Sequence, residues 1–433
     1  MTEKNSVNTQ RLFHSTMRKN LLPVFALLLG TAFLLAGNGL HGLLLPMRGT
    51  EEGFSSASLG MLGTAWATGF VLGCIFAQRV VRRIGHVRAF SAFASMIAII
   101  ALLTGILVNP IAWIALRVVT GFALAASFMI IESWLNERAT NETRGLIFSL
   151  YMTITYVAIV AGQMSIALGD VSTSTFFMVA GILYCLALLP TALSTASSPP
   201  PLSEVRIDLP MIYRNSPVSF IGILLVGIAN GAFGTLGPVF AAKAGLPGGA
   251  VATLMSVTIF SGAIMQIPAG KLSDSLDRRY VLAAMAAIAS IAGLSLAIFA
   301  PSDMGLLFAI VAIYGAMSYT LYSIIVAHAN DYADADKFVT VSSGLLLLYG
   351  IGTIIGPTVG GILMAGNAPY RLFLVTGLAH LAVAAYAIYR STRRAAIPAD
   401  IRETFSSVPA SRSATPESIA LDPRANPEEA VES

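Results

Sequence analysis

Two apolar segments of the chain carry the same pattern of asparagine and glycine, 192 residues apart. Residues 38–42 read Asn-Gly-Leu-His-Gly, residues 230–234 read Asn-Gly-Ala-Phe-Gly, and a proline follows each run after three further residues. Residues 82–86 and 274–278 keep this offset, and farther along an offset of 198 pairs Gly162 with Gly360. Repetition on this scale predicts a chain built from two copies of one unit.

The composition indicates that the repeated unit lies in a membrane. Mean hydropathy is +0.76 and only 11% of the residues are charged, against about 25% in soluble domains. Apolar runs of about 20 residues predict spanning helices, because lipid leaves backbone polar groups unsatisfied. Twelve such runs begin near Leu21, Ser58, Arg88, Ile111, Gly145, Thr175, Pro217, Gly249, Tyr280, Met304, Thr340 and Arg371. The sequence therefore predicts an all-α membrane protein with twelve transmembrane helices in two pseudo-symmetric six-helix halves, an arrangement found in secondary transporters.

The chain divides into five predicted parts. Residues 1–20 form an N-terminal segment, residues 21–193 the first half and residues 217–389 the second half. Residues 194–216 begin rich in Ser and Pro, as expected of a linker. Residues 390–433 are basic at first and then rich in Ser, Pro, Ala and Glu, which predicts a disordered tail.

The basic residues predict the orientation of the chain. With the amino terminus inside the cell, 22 of the 26 Lys and Arg residues fall on inner segments, and such residues accumulate on cytoplasmic loops. Both termini and the linker are then cytoplasmic, in a plasma membrane, or in the inner membrane if the source is bacterial. Because these cations are spread over loops and the tail, we expect them to contact anionic lipid headgroups rather than nucleic acid.

The sequence gives no indication of an enzyme. It contains no Walker lysine motif, catalytic triad spacing or metal-ligand spacing that fits the predicted topology. Cys74 and Cys185 lie in apolar segments and are expected to be buried thiols. We therefore expect no cofactor and no catalytic residues, and a monomer whose partners are a small-molecule substrate, protons and the bilayer.

Several motifs resemble those of the major facilitator superfamily over residues 21–389. Residues 270–279 read Gly-Lys-Leu-Ser-Asp-Ser-Leu-Asp-Arg-Arg, which resembles that family's cytoplasmic loop motif G-x-L-x-D-R-x-G-R-R, with Ser275 and Asp277 as departures. In the first copy of this loop Arg82 occupies the acidic position. In the family this loop is a gate, so the resemblance implies the same role here.

Other motifs refine the resemblance. Arg117 and Gly121 match the family's R-x-x-x-G motif, whose arginine is implicated in proton-coupled transport. Residues 132–145, Glu-Ser-Trp-Leu-Asn-Glu-Arg-Ala-Thr-Asn-Glu-Thr-Arg-Gly, are similar to the YcaD-like branch. Gly356 and Pro357 belong to a cluster that resembles the antiporter motif, although here it lies on the eleventh helix and the family places it on the fifth. The resemblance implies a twelve-helix transporter that works by alternating access.

Polar residues within apolar segments are the candidate binding residues. An ionisable group at mid-membrane costs at least ~2.5 kcal/mol and implies a partner or a wet cavity. Arg117 lies in the fourth predicted helix, and Asn38 and His41 share a face of the first. A satisfied interior histidine is an alternative for His41, and helix packing is one for the amides. The predicted substrate- and proton-binding residues are Asn38, His41, Arg117, Gln163, Asn230 and Gln266.

Charged residues near the predicted cytoplasmic ends are the candidate gate. A carboxylate there can pair with loop arginines in one conformation and separate in the other. We expect Glu132 to contact one of the arginines 82, 83 and 144 in the outward-open state, and Asp274 to cap or pair near the end of the eleventh helix. The predicted gating residues are Arg82, Arg83, Glu132, Arg144, Asp274, Arg278, His328 and Asp331.

These observations predict secondary active transport of a small organic solute coupled to protons, with export and uptake both open. An uncoupled facilitator is one alternative. A non-transporting membrane sensor or assembly protein, with the tail as its interaction surface, is another.

Overall fold

The computed structural model of the protein describes residues 2–192, 207–334, 337–366, 368–395, 397–398, 402, 405 and 414–425, with backbone alone for 2–23, 141–142, 191–192 and 423. The predicted linker falls in part on residues 194–206, which lie outside the described residues. Within the described ranges the chain is helical and contains no strand, which confirms the predicted all-α fold.

Fifteen α-helices are described, in chain order α1 Thr2–Glu51, α2 Ser56–Ile84, α3 His86–Ile106, α4 Pro110–Arg138, α5 Asn141–Met164, α6 Thr175–Ala192, α7 Leu209–Asn215, α8 Pro217–Lys243, α9 Gly248–Ser275, α10 Arg278–Phe299, α11 Met304–Ser318, α12 Leu321–Asn330, α13 Phe338–Leu363, α14 Leu372–Ser391 and α15 Pro416–Ala420. Eleven described segments are long and apolar enough to span a membrane, one of them formed by α11 and α12 together, and the apolar part of α6 is a shorter twelfth. Together they are the twelve predicted helices.

The two halves repeat one packing arrangement. In the first half α1 packs against α5 and α6, α2 against α4, and α3 against α6. In the second half α8 packs against α13 and α14, α9 against α11, and α10 against α14. Glycines allow the close contacts, because small residues let membrane helices approach. An added Cβ at Gly231, for example, would lie 2.6 Å from the Cα of Thr353.

These contacts correct one pairing of the repeat. Gly162 lies against the backbone carbonyl of Ala36, and Gly356 lies against that of Ile228. Ala36 and Ile228 are separated by the original offset of 192 residues, so Gly162 corresponds to Gly356. The pairing of Gly162 with Gly360 was wrong because alignment of isolated glycines cannot distinguish neighbouring turns of a glycine-rich helix.

The halves meet mainly through α2 with α13 and α8, α1 with α8, and α5 with α9. The halves contact each other closely at one face of the bundle, where residues 52–55 join α1 to α2 and residues 244–247 join α8 to α9. There Lys243 Nζ donates a hydrogen bond to Ser56 Oγ at 2.8 Å, and Thr64 Oγ1 donates to the carbonyl of Ile354 at 2.7 Å. Toward the opposite face, called the tail face because residues 414–425 lie there, a cavity separates the halves.

Two predicted segments differ in the structure. The first helix begins at Thr2 rather than near Leu21, since neither glycine nor proline interrupts residues 1–22. Residues 414–425 of the predicted disordered tail form α15 and a 3₁₀ turn, Pro423–Ala425, that pack against the bundle. Their apolar side chains Ile419 and Leu421 are almost fully buried, which gives this part of the tail the core contacts that its composition alone does not reveal.

Candidate functional site

A central cavity of about 140 Å³ lies between the two halves. Helices α1, α2, α4 and α5 contribute its first wall, and α8, α9, α13 and the residue between α11 and α12 contribute its second. Five of the six predicted binding residues line it, namely Asn38, Arg117, Gln163, Asn230 and Gln266. The repeat explains the placement, because Asn38 and Asn230 occupy equivalent positions on the first helix of each half and therefore face each other across the pseudo-twofold axis.

Arg117 is the basic residue of this cavity. Its side chain is almost fully buried, and its guanidinium carbon lies 5.8 Å from the centre of the Trp66 ring. A guanidinium over an indole face is stabilised by the ring quadrupole, more strongly when desolvated. Arg117 and Trp66 together offer a cation beside an aromatic surface.

Three amide side chains around the cavity keep hydrogen-bonding capacity. The Oε1 atoms of Gln163 and Gln266 and the Nδ2 atom of Asn230 are buried and have no hydrogen-bond partner among the described residues. An unsatisfied buried amide atom costs about 1–3 kcal/mol. A polar solute that bonds to these atoms recovers that free energy.

The break between α11 and α12 contributes a backbone group to the site. Gln266 Nε2 donates to the carbonyl of Tyr319 at 3.2 Å. Thr320 follows Tyr319 and donates from Oγ1 to the carbonyl of Met317 at 2.7 Å, a local bond that competes with regular helix geometry. The sequence analysis missed this break, although irregular backbone within a membrane is expected where it lines a cavity.

His41 lies outside the cavity, which corrects its predicted place beside Asn38. It is packed between α3 and α6, where its Nε2 lies 3.3 Å from Thr104 Oγ1 and its ring makes edge contacts with Phe177 and Tyr184. Three residues of helix turn the chain by about 300°, so Asn38 and His41 point about 60° apart. This angle directs Asn38 into the cavity and His41 into the interior of the first half.

A second chain of polar groups was missed by the sequence analysis. Ser318 Oγ donates to Asn230 Oδ1 at 2.8 Å and lies 3.1 Å from His380 Nε2. It connects the cavity wall to the interior of α14. Ser318 and His380 are polar residues in apolar helices, and this pattern could have identified them from the sequence. Neither belongs to a motif of the family, so the sequence analysis did not select them.

A larger cavity of about 240 Å³, which we call the vestibule, opens toward the tail face. Tyr349 lines both cavities, so the two adjoin at this residue. The other vestibule residues include Phe70, Gln78, Arg79, Arg82, Ser343, Ala414 and Pro416. Arg82 is therefore a lining residue of the vestibule, and the neighbouring Arg83 is exposed at the end of α2.

The second copy of the loop motif, residues 270–279, contributes to a buried ionic cluster at the tail face. Arg278 Nε lies 2.7 Å from Asp331 Oδ2, with side chains 1% and 2% exposed, and Arg278 also lies 3.4 Å from Asp274. This cluster brings three predicted gating residues together. Asp274 also accepts a hydrogen bond from the backbone N–H of Phe405 at 3.0 Å. Its predicted capping or pairing near the end of α13 stays a prediction.

Two further residues of this loop, Asp277 and Arg279, connect it to the end of α14. Burial is the largest single influence on Asp277 and opposes its ionisation, but the side-chain hydrogen bonds, the backbone hydrogen bond and the positive charge of Arg279 together outweigh burial and lower the pKa of the carboxyl group. Arg279 also donates to the carbonyl of Arg394 at 2.7 Å. His328, the remaining predicted gating residue of this half, is buried and makes an edge contact with the ring of Tyr332 at 5.1 Å.

Glu132 is fully buried on α4 and bonded to two hydroxyl groups. Tyr151 donates to Oε1 at 2.6 Å and Thr415 donates to Oε2. Arg144 donates to the carbonyl of Ala420 at 3.5 Å. The predicted contact of Glu132 with Arg82, Arg83 or Arg144 concerns the outward-open state and stays a prediction.

Comparison with known proteins assigns these features to one family. The sequence model of the Major Facilitator Superfamily matches residues 27–343 and 219–421. An uncharacterized MFS-type transporter of Yersinia pestis is 28% identical over 360 residues, covering 82% of this chain and 92% of that protein. The uncharacterized MFS-type transporter YcaD of Escherichia coli is 27% identical over 364 residues, with the same coverage.

Two solved structures share the fold. A mutant form of the nucleoside transporter NupG superposes with a TM-score of 0.70 at 16% identity, covering 86% of this chain and 99% of that one. A bacterial homolog of the human lysosomal transporter Spinster, inward-facing and occupied, gives 0.69 at 16% identity, with coverage of 89% and 98%.

Proposed function

The chain belongs to the Major Facilitator Superfamily, in its YcaD-like branch, and from this membership we propose that it moves a small organic solute through the central cavity by alternating access coupled to protons. That it is a multi-pass membrane transporter follows from the family. The solute, the coupling and the residues that bind them are our proposal.

One observation carries the proposal most directly. Amide side chains of both halves, Gln163 from the first and Asn230 and Gln266 from the second, line one cavity with incompletely bonded polar atoms. A solute bonded to both halves is released or occluded when the halves rock, which is what alternating access requires. Interhelical bonds use one polar atom each of Gln266 and Asn230, and the second polar atom of each remains for the solute.

The cavity favours a neutral amphipathic or singly anionic solute. Trp66, Tyr156, Tyr319 and Tyr349 give it an aromatic wall, and Arg117 gives it one cation. Among the described lining residues none is acidic. A polyvalent cation would face Arg117 without a compensating carboxylate.

The distribution of basic residues supports an orientation with both termini in the cytoplasm. In that orientation the tail face is cytoplasmic, and contacts such as Lys243 with Ser56 close the opposite side. The conformation is then inward-facing, with the vestibule as the path between the central cavity and the cytoplasm. For a bacterial source, we place the protein in the inner membrane.

The test begins with binding. Purified protein is screened by thermal shift against nucleosides, amino acids, organic acids and amphipathic drugs, since a ligand stabilises the folded state by RT ln(1 + [L]/Kd). The stabilising compound is then followed in proteoliposomes with an imposed proton gradient. We expect flux that collapses with an uncoupler and falls in Asn230→Ala and Arg117→Ala.

Two alternatives give different results. A facilitator without ion coupling transports the compound at the same rate with and without the uncoupler. A sensor or assembly protein binds it without flux. Either result contradicts the proposal of proton-coupled transport, and absence of both binding and flux across the panel contradicts the solute class.

A further inference from the structure

The mouth of the vestibule is occupied by the chain's own tail. Helix α15 and the turn after it lie against α4 and α5 of the first half and against α13 of the second. Arg144 of α5 donates to the carbonyl of Ala420, and the guanidinium of Arg424 lies 4.9 Å from the ring centre of Phe338 at the start of α13. Residues 414–425 therefore bridge the two halves at the tail face.

Side chains of this segment are buried in the bundle and do not merely lie on its surface. Leu421 is fully buried in the main apolar core, and Ile419 is 3% exposed. Burial of these two apolar side chains, the anchors of the segment, removes apolar surface from water, which stabilises the docked position of the segment. The anchors face a site that neither half forms alone.

Four polar side chains of the segment are also bonded in the docked position. Thr415 and Ser418 bond reciprocally in a capping box, and the Thr415 hydroxyl donates to Glu132. Asp422 and Arg424 form an ion pair at 2.7 Å. Buried polar groups that remain bonded do not oppose docking.

The docked segment stands in the solute path. Ala414 and Pro416 are lining residues of the vestibule, together with Tyr349, which faces the central cavity as well. A solute that passes Tyr349 meets the tail before it reaches the mouth. Movement of the halves at the tail face also requires the bridge from Arg144 to Phe338 to separate or shift.

We propose that residues 414–425 are an inhibitory plug, docked by Glu132, Arg144 and Phe338, that blocks the mouth of the vestibule and must leave before solute passes or the mouth closes. The description of the mouth as cytoplasmic rests on the proposed function, but the docking itself does not. Its release is a regulatory step distinct from solute binding.

The test measures access to the vestibule without any transport. In a Cys74→Ser, Cys185→Ser background, the reporter Ser343→Cys places a thiol in the vestibule, where Ser343 is 3% exposed. Detergent-purified protein is reacted with a hydrophilic maleimide, once as the full chain and once ending at residue 413. A second reporter, Ile419→Cys, follows the tail itself, and Thr392→Cys, at an exposed position, is the matched control.

We expect shortening to accelerate labelling of Ser343→Cys by about tenfold or more, as opening of a docked segment exposes what it covers. Ile419→Cys in the full chain should label about tenfold or more slowly than Thr392→Cys, for the same reason. Leu421→Asp, which removes an anchor without shortening the chain, should accelerate both Ser343→Cys and Ile419→Cys. Thr392→Cys should label equally in every form.

Equal labelling of Ser343→Cys in the long and short chains overturns the proposal, and so does an Ile419→Cys thiol as reactive as the control. If the shortened chain fails to fold, size-exclusion chromatography in detergent reports it as aggregation, and the full-length Leu421→Asp variant then decides. Failure to find a transported solute leaves these rates unaffected, so the proposed function and the plug fail separately.

Discussion

The hydroxyl of Thr415 donates a hydrogen bond to the carboxylate of Glu132, which lies 283 residues earlier in the chain. The second carboxylate oxygen accepts from Tyr151 at 2.6 Å. Glu132 is fully buried, and a buried carboxylate is costly unless it is hydrogen-bonded. The tail thus supplies one of the two hydroxyl partners of a membrane-embedded acid, which connects the position of the tail to the state of α4.

Removal of this contact should loosen the tail. Thr415→Val keeps the shape of the side chain and removes the hydroxyl, so docking should weaken by about 1 kcal/mol, the usual net contribution of a hydrogen bond. Labelling of the Ile419→Cys reporter should accelerate accordingly. Thr392→Val is the matched control, because Thr392 is exposed and its hydroxyl donates to the nearby carbonyl of Tyr389. Equal rates in the two variants would show that Thr415 contributes nothing to docking.

Docking should depend on pH through Glu417. Burial in the docked tail raises the pKa of Glu417 from 4.5 to about 7. The charged groups around it are Glu132 of α4, Arg144 of α5 and, in the following turn, Asp422 and Arg424, while α13 contributes no charged residue. Because the docked state binds the proton more tightly, its stabilisation is complete below pH 4.5 and is lost as the pH rises through about 7.

The measurement is the labelling rate of Ile419→Cys from about pH 6 to about pH 8.5, a window that spans the raised pKa of Glu417. Dividing this rate by that of Thr392→Cys removes the intrinsic titration of the thiol. The ratio should rise with pH in the native tail. Glu417→Gln keeps the size and removes the charge, so its ratio should be lower at high pH and should rise less with pH than that of the native tail. A native ratio that falls with pH would contradict the direction of the shift.

The repeat in the sequence predicted the parts of the fold that symmetry determines. Asn38 and Asn230 keep the same register from one half to the other, so both line the cavity. The all-α class and the twelve helices followed from apolar runs, because in lipid each run must satisfy its own backbone. The position of a residue along a helix could thus be predicted from sequence alone.

The orientation of individual side chains could not be predicted in the same way. Whether His41 faces the cavity or the helix bundle depends on a rotation of about 60° and on where α3 and α6 lie, which no local pattern reports. The docking of the tail was missed for a related reason. Ile419 and Leu421 are two apolar residues in a polar stretch, and the segment that carries them packs against helices of both halves, α4 and α13, which are far from it in the sequence.

Loss of the cavity amides should weaken solute binding without unfolding the protein. Gln266→Leu removes the donor to the carbonyl of Tyr319 as well as the Oε1 atom, and Gln163→Leu removes its Oε1 atom. Each lost hydrogen bond is worth about 1 kcal/mol, which corresponds to a roughly fivefold higher Kd. Titration calorimetry with the compound found by thermal shift measures it. Gln78→Leu, a change of the same kind in the vestibule, should leave the Kd unchanged, and an equal effect there would contradict the assignment.

His41 should contribute to stability rather than to binding. His41→Phe introduces the residue that the second half carries at the equivalent position, Phe233, and it loses the contact with Thr104 while retaining the aromatic neighbours. We expect proton-coupled flux within about twofold of the native protein and a change in unfolding free energy of about 1 kcal/mol. Proteoliposome flux and thermal unfolding measure the two. Loss of coupling with unchanged stability would return His41 to the group of proton-binding candidates.

The ionic cluster at the second loop should be sensitive to the loss of one partner. Asp331→Asn removes the carboxylate that lies 2.7 Å from the Arg278 guanidinium, which is 1% exposed, and leaves the longer contact with Asp274 at 3.4 Å. Breaking a buried pair from one side typically costs about 3–5 kcal/mol, because the other charge stays buried. We expect a clearly lower unfolding temperature, measured in detergent by differential scanning fluorimetry.

Two further variants of this loop separate the loss of a buried charge from other effects of substitution. Lys271→Ala, which removes an exposed charge of the same loop, should change stability by about 0.5 kcal/mol or less. The double variant Arg278→Met, Asp331→Leu should recover part of the loss, since it removes both members of the closest pair and leaves neither charge buried without the other. A double variant less stable than Asp331→Asn would show that the cluster stabilises the loop by more than mutual neutralisation.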